Sequence, residues 1–143
     1  MYTSLDKLKT RMPEKDILEL TDDAVTGEID EAIVNQAIAD AESEINSKLR
    51  GRYTTPLTSP VPDVVEWIAC MLTANKLYSR RHALVLSDGL ARELKAARET
   101  LRDLQTGDQI LEGFENSTSH PGFIKVNKTV ADRMFSKPVL QSF

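Results

Sequence analysis

The residue types best suited to catalysis are scarce in this chain and lie far apart. His82 and His120 are separated by a whole helix and a loop, and neither has a cysteine or carboxylate at a zinc-site spacing. The single cysteine, Cys70, lies in the apolar run WIACML, which favours a buried small hydrophobe over a reactive thiol. Phosphate-binding loops, nucleophile elbows and dinucleotide fingerprints are absent from the sequence. The sequence therefore predicts a protein that is not an enzyme, with no catalytic residues, no metal site and no cofactor.

The acidic loop TDDAVTGEIDE, residues 21–31, is the best candidate for a cation site. Asp22 and Gly27 match positions 1 and 6 of a calcium-binding loop. Ala24 at position 3 and Ile33 at position 12 lack the oxygen ligands that the pattern requires. The composition favours a turn followed by a helix that Asp30 caps.

Four arginines form the candidate surface for contact with DNA. Arg50, Arg52, Arg80 and Arg81 flank the proline-rich connection and the end of the most apolar helix. Guanidinium groups bind phosphates, and each such contact makes binding more salt-dependent. The alternative is that these side chains are solvated and satisfy the last carbonyls of helices. Neither a recognition helix nor an aromatic platform for single strands accompanies them.

The charge distribution is polarised along the chain. The formal net charge is −4, and residues 1–50 carry 12 acidic against 6 basic side chains. Residues 51–106 carry 8 basic against 6 acidic side chains, and residues 107–143 are balanced. This layout lacks the strong basic excess of a dedicated nucleic-acid-binding protein.

The hydrophobic spacing predicts an all-α fold, a compact bundle of four to five helices. The long helices are expected at about 31–50, 62–81 and 88–105, with shorter ones at about 4–11 and 14–20. The helix at 62–81 is apolar on nearly all faces, so it should be the central one. The expected helix ends are a capping box of Thr3 and Asp6, a left-handed Gly51, Pro62 in a first turn, a cap at Ser87 or Asp88, and a helix end at Gly107.

The domain division expected from these patterns is a helical domain at 1–107 and an irregular C-terminal arm at 108–143. A candidate short β-hairpin pairs 109–114 with 122–127. The sequence VADRMF at 130–135 is a candidate for one helical turn. The arm contains more apolar residues than a solvated tail would carry. The candidate interface with a partner or another copy consists of Met134, Phe135, Val139, Leu140 and Phe143.

Membrane insertion and secretion are not expected. The longest uncharged stretch of the central helix, 67–75, is far too short to span a bilayer. The amino terminus MYTSLDKLKT is polar and amphipathic, unlike a signal peptide.

Several stretches together resemble a known family. They are the acidic loop before Asp30, the pattern A-x-A-x-x-E-I-x-x-x-L ending in G-R-Y at 39–53, the later VPDVVEWIACMLTANKLYSRR, and the terminal F-S-x-x-x-L-x-x-F at 135–143. The sequence resembles a small virion-assembly family of Mu-like phages and prophages, and its plan of helices is similar to that of head–tail connector proteins.

The resemblance implies a structural role. It implies a head–tail connector or head-completion subunit that forms a cyclic homo-oligomer between the portal and the tail-joining proteins, with DNA passing non-specifically through the ring. The implied locations are the cytoplasm of the bacterial host during assembly and then the virion. A tail-side joining protein and a non-enzymatic nucleic-acid-binding protein of the packaging or regulatory type are the alternatives.

Overall fold

Five helices form one bundle in the computed structural model, which describes residues 1–81 and 84–114. The helices are α1 (Leu5–Lys9), α2 (Glu14–Thr21), α3 (Glu31–Leu49), α4 (Asp63–Arg80) and α5 (Asp88–Thr106). No β-strand occurs in these two described stretches. The predicted all-α bundle and its three long helices are confirmed.

The central position of α4 is also confirmed. Nine of its residues are buried, and α2, α3 and α5 all pack against it. Its apolar side chains include Val65, Ile68 and Leu72, each fully buried. Burying one such side chain contributes about 1.5–3 kcal/mol of transfer free energy. This helix is therefore the element around which the other four are arranged.

Helices α3 and α4 run antiparallel. Lys76 near the end of α4 pairs with Glu44 at 2.8 Å, and the residues around Arg80 lie beside Ile33 near the start of α3. The connection between the two helices, residues 50–62, contains cis peptide bonds before Pro56 and Pro60. Because the two helices are antiparallel, the end of α3 and the start of α4 lie at the same end of the bundle.

Three helix ends form as the sequence predicts. The Asp30 carboxylate accepts hydrogen bonds from the N–H groups of Ala32 and Ile33, at 2.9 and 3.3 Å. Ser87 Oγ accepts from the Leu90 N–H at 3.3 Å, which caps α5. Gly107 ends α5 in the left-handed conformation, with a φ of 94°.

Other helix ends differ from the prediction. Ser4, not Thr3, caps α1, because Thr3 is buried and its Oγ1 lies 2.9 Å from Cys70 Sγ. Gly51 is not left-handed, since the chain leaves α3 through a further turn in which the Tyr53 N–H donates to the Leu49 carbonyl. Pro62 is the residue just before the first turn of α4, one position earlier than expected.

The apolar residues of α5 face the bundle. Leu94, Ala97, Leu101 and Leu104 are buried, and α5 packs against both α3 and α4. The strong amphipathicity of α5 is thus used within the subunit.

Residues 108–114 pack on the bundle. Leu111 is 5% exposed and Phe114 lies against the core. The candidate hairpin needs 122–127, and the candidate helical turn is 130–135, so both lie outside the described residues. The division at residue 107 stays a prediction, although the first residues beyond it belong physically to the helical body.

Candidate functional site

Arg80 and Arg81 hold the loop that follows α2. Arg80 Nη1 donates to Asp23 Oδ1 at 2.9 Å and to the Leu20 carbonyl at 3.2 Å. Arg81 Nη2 donates to Asp23 Oδ1 at 2.7 Å and to the Asp22 carbonyl at 2.8 Å. We call Arg80, Arg81 and Asp23 the arginine clasp, and the end of the bundle that carries it the clasp end. The clasp fastens the end of α2 to the end of α4, so both guanidinium groups have intramolecular partners.

The acidic loop is organised by its own backbone. Asp22 Oδ1 accepts from the Thr26 N–H at 2.8 Å, and Oδ2 accepts from the Gly27 N–H at 2.7 Å. These N–H groups lower the pKa of Asp22 below its usual range. Since both carboxylate oxygens face backbone donors, the loop is a self-capped turn. Within residues 1–81 and 84–114, no three His, Cys, Asp or Glu side chains lie close enough to hold a metal ion. His82 and His120 lie outside the described residues.

The other two candidate arginines are at the opposite end of the bundle. Arg50 is exposed at the end of α3. The Arg52 guanidinium lies so close to Gly107 that a methyl group there would overlap it. This position, at the carboxyl end of α5, is favourable for a cation because the helix dipole is negative there.

The four arginines therefore form two separate pairs. Arg80 lies beside Gln36 of α3, and Arg50 is 14 residues further along the chain. At 1.5 Å per residue the pairs are roughly 20 Å apart. The structure does not bring them together as one phosphate-binding surface, and a DNA-facing role for them stays a prediction.

The remaining sequence-based candidates are of two kinds. The five apolar residues proposed as an interface, Met134 to Phe143, lie outside the described residues. Cys70 is fully buried, as its apolar neighbours indicate, and this burial raises the pKa of its thiol. Its interpretation as a small core residue is consistent with both observations.

Two tyrosines that the sequence did not single out hold the opposite end of the bundle, which we call the tyrosine end. The Tyr2 hydroxyl donates to Asn46 Oδ1 and accepts from the Leu57 N–H at 2.8 Å. The Tyr53 hydroxyl accepts from the Leu111 N–H at 3.2 Å. Each phenol thus joins segments more than 50 positions apart along the chain. Their only local signal is a tyrosine within a polar stretch, which is too weak to predict such contacts.

An open cleft of about 470 Å³ lies at the clasp end, between α2, the last turn of α4 and the first turn of α5. Asp16, Glu19 and Glu93 are among its lining residues, and we therefore call it the acidic cleft. Met12 and Leu20 form part of its buried floor, and Leu84 and Leu90 are half-buried along it. Val85 at its edge is 87% exposed. The cleft therefore presents both apolar and charged side chains to solvent.

Comparison with known families decides the relationship of the chain. Residues 2–122 match the family model described as Bacteriophage Mu, Gp36. The chain belongs to this family. A comparison with curated proteins gave no match.

Membership of the Gp36 family confirms the resemblance to Mu-like phages and indicates a phage structural or assembly protein. The matched residues include the acidic loop and the pattern at 39–53, and they end before the terminal motif at 135–143. The helices of this Gp36 family member within residues 1–81 and 84–114 include none long and apolar enough to cross a membrane.

Proposed function

We propose that this Gp36 family member is a non-enzymatic head–tail connector or head-completion subunit that assembles into a ring between the portal and the tail. It acts in the host cytoplasm during assembly and remains in the virion. The observation that carries the proposal is the family match over residues 2–122. The proposal goes beyond that match in naming a ring, a portal partner and a position in the particle.

The physical properties of the body support this role. A ring subunit needs a compact body that keeps its shape when neighbours bind. Here one continuous core runs through all five helices, and buried tyrosine hydroxyls tie residues 57 and 111 to it. Such a body offers a fixed surface at low conformational cost.

The composition of the last residues supports a contact outside the body. Between 134 and 143 the sequence contains five apolar side chains, the candidate interface residues named above. Each would contribute about 1.5–3 kcal/mol if it were buried against a neighbour. This segment is therefore the proposed contact with another subunit or with the portal.

The proposal can be tested by shortening the chain. Deletion of 128–143 should leave a helical protein that no longer forms rings or binds the cognate portal. Light scattering gives the mass with and without portal, and far-UV circular dichroism checks the helices. If the shortened chain still forms rings on the portal, the terminal segment is not the contact.

A full-length variant makes the test more specific. Replacement of Met134, Phe135, Val139, Leu140 and Phe143 by serine should abolish assembly, since it removes the apolar surface at constant chain length. The matched control replaces Ser136, Gln141 and Ser142 by alanine and should assemble normally. If both variants assemble equally well, the apolar side chains are not involved.

The same preparations separate the competing functions. A connector binds the portal, whereas a tail-side joining protein binds tail tubes instead. A nucleic-acid-binding protein would retain DNA at low salt, lose it steeply as salt rises, and fail after Arg50, Arg52, Arg80 and Arg81 are replaced by alanine. We expect portal binding and only weak, sequence-independent DNA contact.

A further inference from the structure

The acidic cleft has a pronounced charge bias in addition to its apolar floor. Among the described residues, the cleft is lined by three carboxylates, those of Asp16, Glu19 and Glu93, and by one guanidinium, that of Arg11. Glu19 and Glu93 are exposed and Asp16 is partly buried beside Tyr78. Burial first, and then the negative charge of Asp16, raises the pKa of the Tyr78 hydroxyl. The polypeptide that fits this cleft combines apolar side chains with positive charge.

The end of this chain has that composition. From residue 128 to residue 143 the sequence contains three basic side chains and one acidic side chain. Arg133 and Lys137 alternate with the apolar residues in DRMFSKPVL. The segment therefore matches the cleft in both hydrophobicity and charge, and opposite potentials favour association and set its register.

The cleft and the point at which the described chain ends lie at opposite ends of the bundle. Residues 110–114 lie beside Pro60 and Asp63, at the tyrosine end, whereas the cleft is at the clasp end. The 19 residues of α5 separate these ends by about 28 Å. The 29 residues after Phe114 extend to at most about 100 Å, so they can reach the cleft of the same copy or that of a neighbour. The proposed ring is what selects the neighbour.

A contact that joins one end of a subunit to the opposite end of the next is head-to-tail. Repetition of such a contact closes into a ring when the rotation between subunits permits it. Occupation of the cleft by a second copy is therefore the arrangement that agrees with the proposed ring.

We propose that the acidic cleft receives the basic and apolar carboxyl-terminal segment, residues 128–143, of a second copy of this chain. The inference rests on the proposed function, because it names the surface through which the ring subunits meet. The apolar side chains of the segment occupy the floor of the cleft, and Arg133 and Lys137 face the carboxylates at its edge.

Charge reversal in the full-length chain tests the contact. The cleft variant carries Glu19→Lys and Glu93→Lys, and the tail variant carries Arg133→Glu and Lys137→Glu. Each should raise the protein concentration needed for half-assembly by about ten-fold or more, because attraction becomes repulsion. The readouts are mass by light scattering, alone and with the portal, and helicity by circular dichroism.

A matched control separates a local effect from a change in net charge. The control variant, Glu28→Lys with Glu99→Lys, changes the same number of exposed glutamates outside the cleft. Its concentration for half-assembly should stay within about two-fold of that of the unmodified chain, since exposed charges and surface ion pairs contribute little. The tail variant changes no residue of the five helices, so its helicity by circular dichroism should equal that of the unmodified chain.

Mixing experiments distinguish contact between copies from contact within one copy. In the cleft variant both the cleft and the tail are positively charged, and in the tail variant both are negatively charged. The tail of either variant is therefore opposite in charge to the cleft of the other variant. An equimolar mixture should therefore regain assembly if the tail of one subunit occupies the cleft of another. A mixture that stays unassembled overturns the inference.

The remaining outcomes distinguish the two proposals. If the unmodified chain assembles and the cleft variant assembles equally well, the cleft is not the docking surface and the connector proposal stands. If the unmodified chain forms neither rings nor portal complexes, the connector proposal fails and the inference fails with it.

Discussion

The two ends of the bundle are held together by different kinds of interaction. At the tyrosine end, the hydroxyls of Tyr2 and Tyr53 accept hydrogen bonds from buried backbone N–H groups. At the clasp end, Arg80, Arg81 and Asp23 form ion pairs whose side chains are between 32% and 50% exposed. Buried polar groups are expensive to leave unpaired, whereas exposed ion pairs are weak and screened by salt.

The difference bears on how readily each end of the bundle can rearrange. Groups in contact with water exchange protein partners for solvent at little cost, so the clasp end can rearrange more easily than the tyrosine end. At the tyrosine end, breaking the hydrogen bonds of the buried Leu57 and Leu111 N–H groups would leave these groups unpaired, so this geometry is costlier to change.

The largest effect is expected from truncating a tyrosine at the tyrosine end. Tyr53 is 1% exposed, so Tyr53→Ala should lower the free energy of unfolding by about 3–5 kcal/mol through the cavity it leaves. Urea denaturation followed by circular dichroism measures the loss. Tyr78→Ala, at the half-buried position near the clasp, should lower the free energy of unfolding by a smaller amount. Equal losses at the two positions would contradict the proposed contrast.

A smaller loss is expected when only a hydroxyl is removed. Tyr2→Phe leaves the buried Leu57 N–H without its acceptor, which should cost about 1–3 kcal/mol of unfolding free energy. Tyr78→Phe is the matched change at the clasp end, where water can replace the lost group. Denaturant midpoints of the two variants give the comparison directly. A Tyr2→Phe protein as stable as the parent chain would show that the hydroxyl is not needed.

At the clasp itself, Asp23→Asn should cost at most about 1 kcal/mol at low salt, because all three side chains are partly solvated. The difference from the parent chain should nearly vanish at about 1 M salt, where the Debye length is about 3 Å. Glu99→Gln, which removes an exposed partner of Lys95, is the control and should have little effect. A loss that salt does not change would indicate that the clasp is effectively buried.

The last prediction concerns pH, and Asp22 is its subject. The N–H groups of Thr26 and Gly27 lower the folded-state pKa of Asp22. The carboxylate therefore stabilises the loop above the ordinary aspartate pKa of about 3.9, and this contribution is lost as pH falls through the lower folded value. Asp22→Asn should be less stable than the parent at pH 7, and the two should converge as the solution is acidified. Denaturant midpoints measured across this pH range test the sign.

Local patterns predicted much of the fold correctly. The spacing of apolar residues located α3 and α5, and the short polar side chains of Asp30 and Ser87 marked where they begin. Both signals depend on residues a few positions apart, which is the distance over which helix geometry acts. The same reasoning was wrong at Thr3 and Gly51, where packing against Cys70 and an additional turn overrode the local preference.

The candidate site was harder to predict because its contacts are long-range. The four arginines are similar in sequence context, yet Arg80 and Arg81 bind Asp23 while Arg52 packs at the end of α5. Arg80 and Asp23 are 57 positions apart along the chain. No local rule connects them, so the separation of the arginines into two pairs was visible only once the helices were packed.

The helical class of this Gp36 family member, the position of its most apolar helix and the charge bias of its segments could all be predicted from the amino-acid sequence. These properties follow from composition and from the 3.6-residue period, which the chain carries whatever its tertiary contacts. Only the packed helices show which polar groups are buried, which arginines are paired and where the acidic cleft opens. Those features depend on side chains brought together from distant parts of the chain, and their energies depend on how much water the packing excludes.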